Sequence, residues 1–112
     1  WNLAVRVVVR DDVVFQAKLG SAGPVTDPWL TGKAAVAVLF GEPSLLVKRR
    51  HDAEGNPFER RGDMDHDELK AAGGSIPILV GGEIVGTITM SGEAEEIDHL
   101  AAREALRRFN GG

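Results

Sequence analysis

The chain has 112 residues, 43 % of them apolar and 27 % charged, with a formal net charge of −4. That is enough for one globular domain with a modest core, and the acidic balance argues against broad nucleic-acid binding. The absence of cysteine excludes disulfides, thiolate catalysis and Cys-built metal centres. No apolar run reaches the roughly 20 residues that cross a membrane, so no membrane partner and a cytoplasmic location are expected. The chain opens on Trp1 and enters a strand pattern at once, so upstream residues are expected to be missing, with a removed leader as one alternative.

"NLAVRVVVR" alternates, with Leu3, Val5, Val7 and Val9 on one face. "VVFQAKL" does the same with Val13, Phe15, Ala17 and Leu19. Both read as β-strands joined at Asp11-Asp12. A loop of Asp11 to Val13 keeps the apolar faces together by setting Val9 beside Phe15 and Val7 beside Ala17. After a loop rich in turn residues, Asp27 is the expected N-cap of a helix over about Pro28–Phe40 that stops at Gly41. Leu30, Ala34, Ala37 and Val38 lie on one stripe, Val36 and Phe40 on a second, and Lys33 is the helix's only charge. "EPSLLVKRRHDAEG" reads as a second helix from about Ser44 to Gly55, with a strand at Leu45–Val47 as the alternative. Asp65 or Asp67 is expected to cap a short helix through "DELKAA" that ends at Gly73-Gly74.

"GGSIPILVGGEIVGTITMSG", residues 73–92, alternates on both sides of Gly81-Gly82 and reads as a second hairpin. A loop of Gly81 to Glu83 pairs Val80 with Ile84 and Ile76 with Ile88. Pro77 lacks an N–H and belongs at a strand start or sheet edge, and Gly86 signals close approach of another backbone or a helix. Ser91-Gly92 follows this strand and precedes a last helix over about Ala94–Phe109. Ile97, Ala101 and Ala105 form its first apolar stripe, with Ala102, Leu106 and Phe109 beside it. Its acidic start and basic end suit the helix dipole. Two hairpins with helices between and after them predict an α+β domain, an antiparallel sheet packed by helices.

The Asp63, Asp65 and Asp67 run begins like a calcium loop but lacks the required Gly and Glu further on, so helix capping accounts for it better. His51, His66 and His99 share no i, i+4 spacing and read as surface or capping residues, with no metal site. Ser91, Asp98 and His99 hold the residue types of a nucleophile triad, yet neighbours in a helix point about 100° apart, so Asp98 is badly placed to orient His99. Lys33 either snorkels to solvent or serves as an anion partner. The strand-to-helix junction at Ser91-Gly92 is the expected ligand site, because free N–H groups and the dipole there favour a negative group. Gly73 and Gly74 are expected to flank it, His99 to lie two turns on as a second donor, and Lys33 to balance charge. The alternative is that Ser91 merely caps the helix and His99 is solvated.

"WLTGKAAVAVLFG", "AAGGSIPILVGGEIVGTITMSG" and "EEIDHLAAREAL" occur in the order that resembles the haem-degrading domain family. The matching positions are Trp29, Lys33 and Phe40; Gly73, Gly74 and Pro77; Gly86, Ser91 and Gly92; and Asp98 and His99. Ala72 stands where that family often has a His. The resemblance implies a profilin-like α/β sandwich over the whole chain, lacking an N-terminal helix, that assembles into homo-oligomers. It also implies haem as a cofactor, with His51, His66, His99, Met64 and Met90 as the available iron ligands. Three readings follow: an oligomeric domain binding haem or another small anionic ligand, an enzyme acting on a small anionic substrate through Lys33 and His99, or a ligand-free scaffold. Apolar residues on more than one side of the first helix and on both faces of the second hairpin also predict self-association.

Overall fold

The computed structural model describes residues 2–111. Strands β1 (Asn2–Val9), β2 (Asp12–Gly20), β3 (Ser75–Val80) and β4 (Glu83–Ser91) form one antiparallel sheet in the order β2-β1-β4-β3. Helices α1 (Asp27–Phe40) and α2 (Ser44–Ala53) follow the first hairpin, and α3 (Glu95–Gly111) follows the second. The α+β sheet of two hairpins packed by helices is the architecture the sequence predicts. Among the described residues, no single helix is long and apolar enough to cross a membrane.

Both hairpins differ from the expected pairing in the same way. Each turns on two residues at positive φ, Arg10 (50°) with Asp11 (67°) and Gly81 (59°) with Gly82 (84°). Such turns match the twist of the strands they join. Val9 therefore pairs with Asp12 and Val80 with Glu83, not with Phe15 and Ile84. One extra residue in each second strand, Val14 and Val85, then bulges and restores the matching of apolar faces. Beyond the bulges Val7 faces Phe15, Val5 faces Ala17 and Ile76 faces Ile88, the last as expected. Pro77 lies on edge strand β3. A Cβ on Gly86 would meet the Val8 carbonyl at 2.0 Å, the close approach its place in a strand signals.

The two faces of the sheet are built differently. On one, Ile76, Ile88 and Met90 pack against Ala102 of α3, with Leu3, Val5, Val7 and Leu106 around them. On the other, α1 and α2 cover a polar surface. There the Ser75 and Thr89 hydroxyls bond at 2.8 Å, and Ser44 Oγ accepts the Ser75 N–H at 3.0 Å. A second apolar cluster, Val36, Val47 and Phe58 with Phe40, Met64 and Leu69, lies between α1, α2 and the segment after them.

The structure corrects several local expectations. Thr26, not Asp27, is the N-cap of α1, and the Asp27 carboxylate pairs with Lys18 at 2.7 Å. Val38 and Ile97 are exposed, although the spacing sets each on an apolar stripe. The buried stripe of α3 instead begins at Asp98 and continues through Ala102. "DELKAA" forms turns with no helix. Asp65 does cap them, accepting the Asp67 N–H at 3.0 Å, but the Lys70 N–H is drawn to the Gly32 carbonyl of α1 at 3.1 Å. His51 is buried, its ring edge-on to Phe40 and Phe58.

Candidate functional site

β4 ends at Ser91, paired with Ala4 of β1, and the chain must then turn sharply into α3. Gly92 makes the turn at φ 124°, where a Cβ would stand 2.7 Å from the Asn2 carbonyl oxygen. Only glycine adopts this conformation against another backbone without strain. Across the sheet, Gly74 enters β3 at φ 141° and receives the Met90 N–H on its carbonyl at 2.8 Å. A Cβ on Gly74 would lie 2.3 Å from the Met90 oxygen, 2.9 Å from Lys33 Nζ and 3.2 Å from Asp98 Cβ. At Gly73 it would strike the Glu95 carbonyl at 2.3 Å. The two glycines thus let the start of α3 press onto the entry of β3.

Lys33 reaches from α1 into this junction. It does not snorkel: it is 3 % exposed, and Asp98 is 1 % exposed. Its ammonium donates to Asp98 Oδ2 and to the Met90 carbonyl, both at 3.1 Å. The other Asp98 oxygen accepts the Glu93 N–H at 3.2 Å. The helix start that composition offered to an anion is therefore partly satisfied by the chain's own carboxylate. Ser91 is not the cap; its hydroxyl makes no hydrogen bond among the described residues. Burial lowers the Lys33 pKa and raises that of Asp98, and each charge opposes the other's shift. Nearby, Glu95 accepts the Gly73 N–H at 3.1 Å and pairs with Lys48. Burial raises the Glu95 pKa, but these two donors outweigh it and leave it below the usual carboxylate value.

A cleft of about 310 Å³ opens over this pair. Val25, Trp29 and Ala72 give its lining apolar surface, and Lys33, Ser91, Glu93, Glu95 and Asp98 give it polar groups. Lys33, Ser91 and Gly92 thus come together, with Gly74 against the Lys33 amine and Gly73 behind Glu95. His99 does not join them. It is half-buried beside Asp98 and outside the cleft lining, its Nδ1 is buried without a partner among the described residues, and its pKa is lowered by burial and by Arg103 and Arg49. Other hollows of 340 and 560 Å³ along Val8, Val38 and Thr87 have no buried charge among their lining residues.

Sequence reasoning missed Asp98 as the partner of Lys33 and Trp29 as the cleft wall. A single lysine in an otherwise apolar helix does demand a counter-ion if it is buried. Asp98 sits four residues before Ala102 on the buried stripe, which was the available sign.

Fold and cleft define a class: a single four-stranded antiparallel sheet with helices on both faces and a buried lysine–aspartate pair where the last strand meets the last helix. The family model for HbpS-like haem-degrading proteins matches residues 1–107, and the chain belongs to that family. A UPF0303 protein of Streptomyces coelicolor is 39 % identical over 99 residues, covering 88 % of this chain and 63 % of the relative. The chain thus spans less than two thirds of that relative's length. The crystal structure of the Ybr137w protein superposes with a TM-score of 0.84 at 24 % identity, over 96 % of this chain and 64 % of that one. The PduOC:heme complex does so at 0.74 and 19 %, over 94 % of this chain and 76 % of the other. At such identities the likeness is one of fold.

Proposed function

We propose that the chain is a small-molecule-binding domain whose ligand lies on Trp29 and presents one oxygen acceptor, such as a carboxylate, to Lys33 and Ser91. The observation that carries this reading is a buried ammonium on the wall of the cleft. Among the described residues two of its three N–H donors have partners and the Ser91 hydroxyl, which lines the same cleft, has none. A buried ion pair costs more in desolvation than a well-packed apolar pair, so structure alone gives little reason for it. The cleft volume is at the lower end for ligand pockets, and its carboxylates suit a ligand with a single acid group better than a polyanion. Native mass spectrometry of the purified protein tests the reading. A retained small molecule that Ser91→Ala loses at unchanged melting temperature supports it; identical retention by both proteins refutes the assignment to this cleft.

Haem does not fit here, because no lining residue offers a His, Met, Cys or Tyr side chain to iron. His51 and His66 are engaged with Val47, Arg61 and Phe58. A second reading places haem at His99, the histidine whose ring makes no hydrogen bond among the described residues; the family description and the haem-bound structural neighbour favour it. Haemin titration of wild type and His99→Ala separates the two, since only this reading expects a Soret shift that the variant loses.

Self-association belongs to the same proposal. Val13, Phe15 and Leu19 of β2 and Leu79 and Val80 of β3 are exposed, as are Val38 and Leu39 of α1. A homo-oligomer would cover such a surface. Light scattering at micromolar concentration is expected to give a multiple of 12.0 kDa; the monomer mass would end the claim.

A further inference from the structure

The setting of Lys33 is unlike that of the other three lysines. The side chains of Lys18 and Lys48 are a quarter to a third exposed and paired with Asp27 and Glu95, while Lys70 lies over the Trp29 ring at 4.9 Å. Lys33 is the one buried lysine; it lines the cleft and has a carboxylate at 3.1 Å able to take a proton from it. No side chain projects from Gly74 beside the amine, where a Cβ would come within 2.9 Å of Nζ. An amine in such a place is a nucleophile as soon as it gives up one proton.

We propose that Lys33 is a covalent capture site, condensing through its ε-amino nitrogen with a small aldehyde or ketone held against Trp29. The idea rests on the cleft being the ligand site and names the ligand's reactive group. The Lys33 ammonium passes one proton to the Asp98 carboxylate, and its lone pair then forms the C–N bond. The carbonyl C–O bond breaks, and the oxygen leaves as water with the two protons that remained on nitrogen. A neutral imine and a protonated Asp98 result, and return of that proton gives the iminium and the carboxylate. No oxidant or reductant is consumed. The buried setting favours the sequence, since burial disfavours both charged partners and so reduces the cost of the first proton transfer.

The test uses the full chain at neutral pH and at stepwise higher pH with two probes, 4-carboxybenzaldehyde and propionaldehyde, each with cyanoborohydride to fix any imine as a secondary amine. Peptide mapping then follows adduct growth at each lysine. Lys33 is expected to react about tenfold or more faster than Lys18, Lys48 and Lys70, because the cleft holds the carbonyl against its amine. Its rate should level off with rising pH while the others still climb. Labelling of Lys33 no faster than the other three lysines, with native circular dichroism, overturns the proposal. If a small molecule is still retained in native mass spectrometry under that outcome, the condensation alone fails and the cleft remains a non-covalent site. Because the wild-type chain is the substrate, a folding defect in a variant does not obscure the answer.

Discussion

The two faces of the sheet divide the work. The α3 face is a dry aliphatic layer of Ile76, Ile88 and Met90, closed by Ala102. The α1 face is lined by hydroxyls, Ser44, Ser75 and Thr89, and ends in the Lys33–Asp98 pair. The first is explained by burial of apolar area and asks for no other reason. The second carries polar groups that are costly to bury, and each must be satisfied. Cleft and charge lie together at the end of the second face, so the costly part of the core adjoins the candidate site.

Changes that break one partner of the polar face should have the largest effect. Asp98→Ala leaves the Lys33 ammonium buried without a counter-ion and is expected to lose about 3–5 kcal/mol of stability in urea unfolding. Lys33→Met combined with Asp98→Leu should recover most of that loss, because an apolar pair needs no charge compensation. A double variant as unstable as the single one would show that packing at the site, not charge, is what matters.

The apolar face sharpens the contrast. Ile88→Val removes one methylene from the α3 layer and should cost about 0.5–1.5 kcal/mol. Thr89→Val keeps the shape but leaves Ser75 Oγ without its 2.8 Å partner. Its expected cost is about 1–3 kcal/mol, the penalty for an orphaned buried hydroxyl. If Thr89→Val proves milder than Ile88→Val by the same unfolding assay, the hydroxyl ladder contributes little and the comparison of faces fails.

The dry face is also the one that can be read from the sequence. Alternation of Leu3, Val5, Val7 and of Ile76 with Ile88 fixes strands and faces, since every second residue must be apolar where one side is buried. The bulges at Val14 and Val85 escape that reading, because alternation specifies which face pairs with which and not how the chain gets there. The polar face has no such signature. Thr89 and Ser75 look like solvent-facing positions, and Asp98 looks like one of several acids in a first helical turn. Gly73, Gly74, Ser91 and Gly92 could be placed near one junction because turns and strand ends constrain glycine. The bonds that tie Lys33 to this junction, to Met90 and Asp98, join residues 57 and 65 apart in the chain, which no local pattern records.

His99 gives the smallest effect and the one that separates it from its neighbour Asp98. Its pKa in the folded chain lies below the ordinary 6.5, because burial and the nearby Arg103 and Arg49 disfavour the imidazolium. The unfolded chain therefore takes up this proton first as pH falls. The stability contributed by the neutral ring is complete above pH 6.5 and is lost as pH falls from there through the folded-state value. His99→Gln removes the titration, so the difference in unfolding free energy between wild type and variant should shrink on acidification across that window and be constant above it. A difference independent of pH would mean that His99 is solvated in the folded chain. A difference that grew on acidification would mean that the folded state holds the proton more tightly, and the ring would then have an anionic partner.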